Sequence, residues 1–221
     1  MQMDWFPLWL SLEVATIATV LSAFAGVWLA WLLANRTFPG KDIVDAVTAL
    51  PLALPPTVLG YYLLTVLGRN SFIGRAWEAV TGSPIVFTAS AAVIAAMLHA
   101  IPLLVKSTRA ALESVDHDFE RAGRSLGTSE WRVFWRISLP LARRPLAAAT
   151  ALAFARSLGD FGATLMIAGD IPGRTQTAAV AVFDAVESGN TTAARWMVLA
   201  ISAITILLVF LSNRLERRRP A

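Results

Sequence analysis

Two opposite charges, Arg156 and Asp160, stand four residues apart in an otherwise apolar run of this 221-residue chain. Intramembrane charges cost roughly 2.5–3.5 kcal/mol on insertion scales, so such residues face a partner or a water-filled path. Two readings stay open. Either the pair neutralises itself at i,i+4 spacing and braces a helix bundle, or Arg156 lines a path and attracts an anion while Asp160 limits its grip. Gly159 and Gly162 thin the same stretch, permitting a close helix neighbour or an irregular turn. Other chemistry is sparse. There is no cysteine, and His99 and His117 are too scattered for a metal centre, so no metal ligand is assigned. His99 reads as an interhelical hydrogen-bonding residue, and Glu13 is given no role. No residue is assigned a catalytic part. No Gly-x-x-x-x-Gly-Lys-Ser/Thr loop occurs, so ATP hydrolysis is not expected on this chain.

The elements that must position these groups are apolar. Hydrophobic residues make up 56% of the chain and charged ones 15%, against roughly 25% charged in an ordinary soluble domain. Lipid satisfies no backbone groups, so only helices or closed barrels span it, and the long unbroken runs here are helical rather than alternating. Five stretches approach the roughly 20 apolar residues a span needs: 8–34, 43–67, 85–105, 145–168 and 193–212. The segment before the first carries Asp4 and no Lys or Arg, so that first stretch is expected to stay as an anchor rather than be cleaved. With the N-terminus outside, fourteen basic residues (Arg36, Lys41, Lys106, Arg109, Arg121, Arg124, Arg132, Arg136, Arg143, Arg144, Arg214, Arg217, Arg218, Arg219) fall inside. Four (Arg69, Arg75, Arg174, Arg195) fall outside. This asymmetry orients the chain with an external N-terminus and a cytoplasmic C-terminus. It also accounts for the net charge of +4 without nucleic acid. Trp5 and Trp9 at one end of the first span, and Trp28 and Trp31 at the other, suit headgroup positions, with core packing the competing reading. The reading is therefore an all-α, polytopic transmembrane bundle, a single domain over 1–221. Basic residues 217–219 anchor its last helix at anionic headgroups.

Pro51, Pro55 and Pro56 in the second span predict a kink or break, and 50–57 is expected to face inward, because broken backbone is tolerated only against protein or a watery cavity. The alternative is a packing kink without a transport role. The external segments 68–84 and 169–192 read as short ordered connections.

Between the third and fourth spans lies a segment of about 35 residues, 106–139, far longer than a minimal connection. Asp116 and Asp118 offer an N-cap and negative charge, Phe119, Ala122 and Leu126 share one helical face, and Gly127 ends the helix. A second short helix begins at Ser129, sets Trp131 and Trp135 one turn apart, and is expected to end before Pro140. A capped helix with one apolar face is the kind of knob a separate motor can grip; resting on the lipid surface is the other reading.

From Glu120, the residues Glu-Arg-Ala-Gly-Arg-Ser-Leu-Gly, then nine residues, then Ile137-Ser-Leu139-Pro140, resemble the cytoplasmic loop motif of binding-protein-dependent ABC importer permeases. The family pattern is Glu-Ala-Ala, three residues, Gly, nine residues, Ile, one residue, Leu-Pro. Aligned on Gly127, the triplet falls on Arg121-Ala122-Gly123 and Glu120 is displaced by one. Phe38-Pro-Gly-Lys41, Leu50-Pro-Leu-Ala-Leu-Pro-Pro56, Arg109-Ala-Ala-Leu-Glu113 and Leu152-Ala-Phe-Ala-Arg-Ser-Leu-Gly-Asp-Phe-Gly-Ala163 resemble the molybdate permease subfamily. Sulfate and thiosulfate permeases share much of this pattern. The resemblance implies a type I importer fold in the bacterial or archaeal inner membrane. It implies an ATPase-coupling loop at 107–139 using Glu120, Arg121, Ala122, Gly123 and Gly127 and closing on Ile137, Leu139 and Pro140. It further implies a homodimer, a cytoplasmic ABC ATPase dimer holding ATP and Mg, and an extracytoplasmic molybdate-binding protein. Arg156, Asp160, Gly159, Gly162, Pro55 and Pro56 are then candidates for the pathway or gate. An ion-coupled secondary transporter or a membrane scaffold are competing readings; the first expects paired internal repeats, which the sequence does not display.

Overall fold

The computed structural model describes residues 4–217. All regular structure among them is helical: α1 Phe6–Asn35, α2 Lys41–Ala53, α3 Pro56–Leu67, α4 Phe72–Thr81, α5 Ala89–Glu113, α6 His117–Ser125, α7 Glu130–Val133, a π-helical turn Phe134–Ser138, α8 Leu139–Leu141, α9 Arg143–Leu158, α10 Gly162–Ala168, α11 Ala178–Glu187 and α12 Thr191–Arg217. Arg218 and Arg219 of the basic tail lie outside the described residues.

α1, α5 and α12 are each long and apolar enough to cross a membrane, and two bent pairs, α2 with α3 and α9 with α10, raise the number to as many as five. α1 packs along α5, α5 along α9, and α9 against α1 and α12, while α3 lies on α10 and α5 touches both α2 and α10. Small residues make this close packing possible. Ala15, Ala18, Ala91, Ala95, Ala100 and Ala153 are all fully buried, and a Cβ on Gly26 would stand 2.9 Å from Leu104 Cβ. Without a hydrophobic drive between helices in lipid, contact of small residues and interhelical hydrogen bonds supply the cohesion. Ser11 Oγ on α1 accepts from the Ala178 amide at 2.7 Å, and the Ser212 hydroxyl on α12 donates to Ala148 O at 3.1 Å.

The prolines act where the chain has two in a row. Pro51 is carried inside α2, whereas Leu54 and Pro55 are both extended (ψ 146° and 139°) and Pro56 opens α3. Each lies before a proline, which disfavours helical torsions, and Pro56 is suited to the first turn of the next helix. α2 and α3 consequently meet at 119°. The fourth apolar stretch is also two helices rather than one, with a 58° bend between α9 and α10.

The connections 68–84 and 169–192 are ordered by helices α4 and α11, the first capped by Ser71 Oγ, which accepts from the Gly74 amide at 2.8 Å. Two sequence expectations need correction. The third span is displaced: α5 begins at Ala89, capped by Thr88, and runs on to Glu113. The second loop helix does not stop before Pro140. It widens into the π turn, with the Leu139 amide donating to Phe134 O, and continues as α8. Widening moves the carbonyls that a proline ring would otherwise strike, so Pro140 is accommodated.

Candidate functional site

The loop helix α6 is fixed at both ends by its own sequence. Asp116 Oδ1 accepts from the Asp118 amide at 2.9 Å. At the other end Gly127 takes φ 76°, and the amides of Gly127 and Thr128 reach back to Arg124 O and Gly123 O at 2.9 and 3.2 Å, a Schellman ending that requires the left-handed glycine. Phe119, Ala122 and Leu126 do share a face, and it is left largely uncovered by the described residues: Phe119 is 56% exposed and Leu126 86%. Arg121 is exposed and pairs with Asp118 at 3.2 Å.

The opposite face is bound down. Gly123 is buried, and a Cβ there would approach Ile137 Cδ1 to 2.7 Å and Val133 Cγ2 to 3.4 Å. Glu120 accepts from the Ser138 hydroxyl at 2.6 Å and from Arg124 Nη2 at 3.3 Å, and Arg124 Nε also donates to Glu130 at 2.7 Å. The Glu130 carboxylate beside it raises the Arg124 pKa further. The displaced Glu120 is thus the residue that pins α6 to the π turn. Ser138 and Glu130 were not singled out from sequence, because their partners Glu120 and Arg124 lie on a different helical segment, 18 and 6 residues away; Arg124 stands at i,i+4 from Glu120, a spacing that could have found it. Leu139 packs with Phe134, Ala111, Leu112 and Val115, so the loop is seated on the end of α5. Pro140 is exposed at the start of α8. Arg109 on α5 reaches Asp45 on α2 at 3.0 Å, tying the same end together.

The second group of residues gathers where the two broken stretches touch. A Cβ on Gly162 would lie 3.1 Å from Pro56 Cβ and 3.4 Å from Thr57, and one on Gly60 would lie 2.6 Å from Met166 Cβ. Gly162 therefore provides the close approach; Gly159 provides the irregular turn, ending α9 with no near neighbour beyond Ala155 O. Asp160 lies in that turn, 3% exposed. Its Oδ2 accepts from the Thr164 hydroxyl at 2.7 Å and amide at 3.2 Å, and its Oδ1 stands 3.2 Å from His99 Nδ1 and 3.6 Å from Arg156 Nη1. The His99 approach is a charge-pair distance without hydrogen-bond alignment. His99 reaches from α5 to the break without making the interhelical hydrogen bond expected of it, and its neighbour Asp160 was not foreseen. The pair differs in exposure: the Arg156 side chain is 37% exposed and that of Asp160 2%. Leu50, Pro55, Pro56 and Thr57 are exposed on the single chain. Bare backbone of this kind in a membrane needs protein or water against it.

An all-helical bundle with two broken stretches meeting at a buried carboxylate, and a capped helix presented at one end, defines a polytopic membrane transport subunit. The chain belongs to the family of binding-protein-dependent transport system inner membrane components, whose model matches residues 22–218. It is 42% identical over 216 residues to the molybdenum transport system permease protein ModB of Escherichia coli K12, covering 97% of this chain and 94% of that one. It is also 42% identical over 208 residues to the putative molybdenum transport system permease YvgM of Bacillus subtilis, covering 92% and 90%. The sulfate transport system permease CysT of E. coli K12 is 31% identical over 230 residues, covering 98% and 83%. Among solved structures, an inward-facing MetNI methionine ABC transporter superposes with TM-score 0.74 at 15% identity, over 96% of this chain and 93% of that one. A bacterial ABC transporter importing alginate superposes with TM-score 0.76 at 11% identity, over 100% and 81%. These establish a shared ABC importer permease fold.

Proposed function

We propose that this chain is the permease subunit of an ATP-driven importer that carries molybdate across the bacterial inner membrane, with five spans, an external N-terminus and a cytoplasmic C-terminus. The observation that carries the reading is α6: a helix capped at both ends, bound to the bundle through Glu120 and Gly123, with Phe119, Ala122 and Leu126 left bare. That is the form of a rigid knob for a cytoplasmic ATPase groove. Two copies of the ATPase, with their ATP and Mg, supply the energy, and an extracytoplasmic binding protein delivers the anion. Higher identity to molybdenum permeases than to the sulfate permease favours molybdate.

Motion imposed on α6 passes to α5 through the contact of Leu139 and Phe134 with Ala111, Leu112 and Val115. α5 also carries His99, which stands against the α9–α10 break. The exposed Leu50–Thr57 backbone and Arg156 fit a surface shared with a second copy of the chain, the pathway running between the two. There Arg156 attracts the oxyanion, and Asp160, held by Thr164, keeps that attraction from becoming a trap.

The test is reconstitution in vesicles with and without the ATPase and binding protein, following labelled molybdate with sulfate as competitor. Uptake requiring ATP and both partners supports the reading. Uptake by the lone chain on an ion gradient replaces it with a secondary transporter, and stronger inhibition by sulfate than by unlabelled molybdate replaces the substrate.

A further inference from the structure

Behind the α6 cradle lies a groove of about 400 Å³ whose lining includes Phe24, Trp28 and Trp31 of α1 and Trp131, Phe134 and Trp135 of the loop segment. Every lining residue is apolar or aromatic, and none belongs to the broken-helix face carrying Pro55, Pro56 and Arg156. Three of the indoles, Trp28, Trp131 and Trp135, are about half exposed along its walls. The mouth is basic. The Arg36 guanidinium sits 6.0 Å from the centre of the Trp31 ring, and Arg132 and Arg136 are exposed on the segment that supplies Trp131 and Trp135. No carboxylate lines the groove. An apolar slot walled by indoles, with guanidinium groups on the segments that supply those indoles, matches the two halves of one kind of molecule, an acyl chain joined to an anionic headgroup.

We propose that this groove holds one chain of an anionic phospholipid of the cytoplasmic leaflet, with its phosphate at Arg36 and the arginines of the loop. The placement in that leaflet rests on the orientation given under Proposed function. The site has a mechanical consequence, because Trp31 and Phe134 are walls of two cavities at once. On one side they face the lipid groove. On the other they face a cavity of about 340 Å³ that contains Glu120, Arg124, Glu130 and Ser138, the groups that hold α6 down. A chain lodged in the groove backs the aromatic wall against which the docking helix is seated, so the lipid acts as a wedge that stiffens the coupling segment. A second copy or the ATPase would need to carry a long apolar ridge flanked by acid to fill the same slot.

The experiment uses the complete importer, released from vesicles of equal phosphatidylglycerol and phosphatidylcholine and weighed intact by native mass spectrometry. Phosphatidylglycerol is expected to be retained in preference to phosphatidylcholine by several-fold. Trp135→Ala is expected to lower retention of both, and Arg36→Gln to abolish the preference between them. Should Trp135→Ala not fold, the unmodified importer in vesicles of brominated-chain phosphatidylglycerol still reads the site: its tryptophan fluorescence is expected to be quenched more than by brominated phosphatidylcholine of equal bromine content. Equal retention and equal quenching by the two lipids overturn the proposal. Because these readouts need no ATP, they fail separately from the importer reading, which is lost only when partner-dependent uptake is absent.

Discussion

At single residues, the geometry ranks side chains that composition alone treats alike. Asp160 and Arg156 are four residues apart and oppositely charged, yet Asp160 is buried against His99 and Thr164 while Arg156 opens outward. Removing the carboxylate leaves the Thr164 hydroxyl without its acceptor. An unmade buried hydrogen bond costs roughly 1–3 kcal/mol, so Asp160→Ala is expected to lower the detergent melting temperature measurably, and Asp160→Asn, which keeps an acceptor oxygen, to lower it less. Arg156→Gln should leave the melting temperature near that of the parent and reduce ATP-driven molybdate uptake; unchanged uptake with unchanged anion dependence would remove Arg156 from the pathway. Gly123 makes a further test. Gly123→Leu must push α6 away from Ile137 and Val133, because even a Cβ would stand 2.7 Å from the former, and uptake is expected to fall at least tenfold while the protein still reaches the membrane.

Among the elements, α6 is the one whose local code is complete: cap, apolar face, glycine stop. Its ending depends on one left-handed residue. A side chain at φ 76° costs about 1–2 kcal/mol, so Gly127→Val is expected to fray the last turn, read as weaker ATPase association in pull-down. The bare face separates docking from folding. Phe119 and Leu126 are largely exposed, so Phe119→Asp with Leu126→Asp should leave the melting temperature near that of the parent and abolish ATPase binding. Full ATPase binding by that double variant would show that the motor grips elsewhere.

Across the whole molecule, the absence of cysteine makes the proposed topology directly testable. A single cysteine at Ser188, exposed after α11, is expected to react with a membrane-impermeant maleimide from outside. One at Ser125, exposed at the end of α6, should react only after the membrane is opened. Reversed labelling would invert the assignment and move α6 to the wrong compartment for an ATPase.

Hydrophobic run length, charge asymmetry and cap chemistry are local properties, so the sequence alone determined an all-helical membrane bundle, the position of α6, its two ends and its free face. The family motif lay in the same local code. Tertiary structure decided the rest, because it depends on pairs that no periodicity links. Glu120 meets Ser138 across 18 residues, Asp160 finds His99 on another helix, and Gly162 and Pro56 bring two separate breaks together. Proline chemistry announced a break near Pro55. Tertiary packing, through the close approach that Gly162 permits, set that break against the one between α9 and α10.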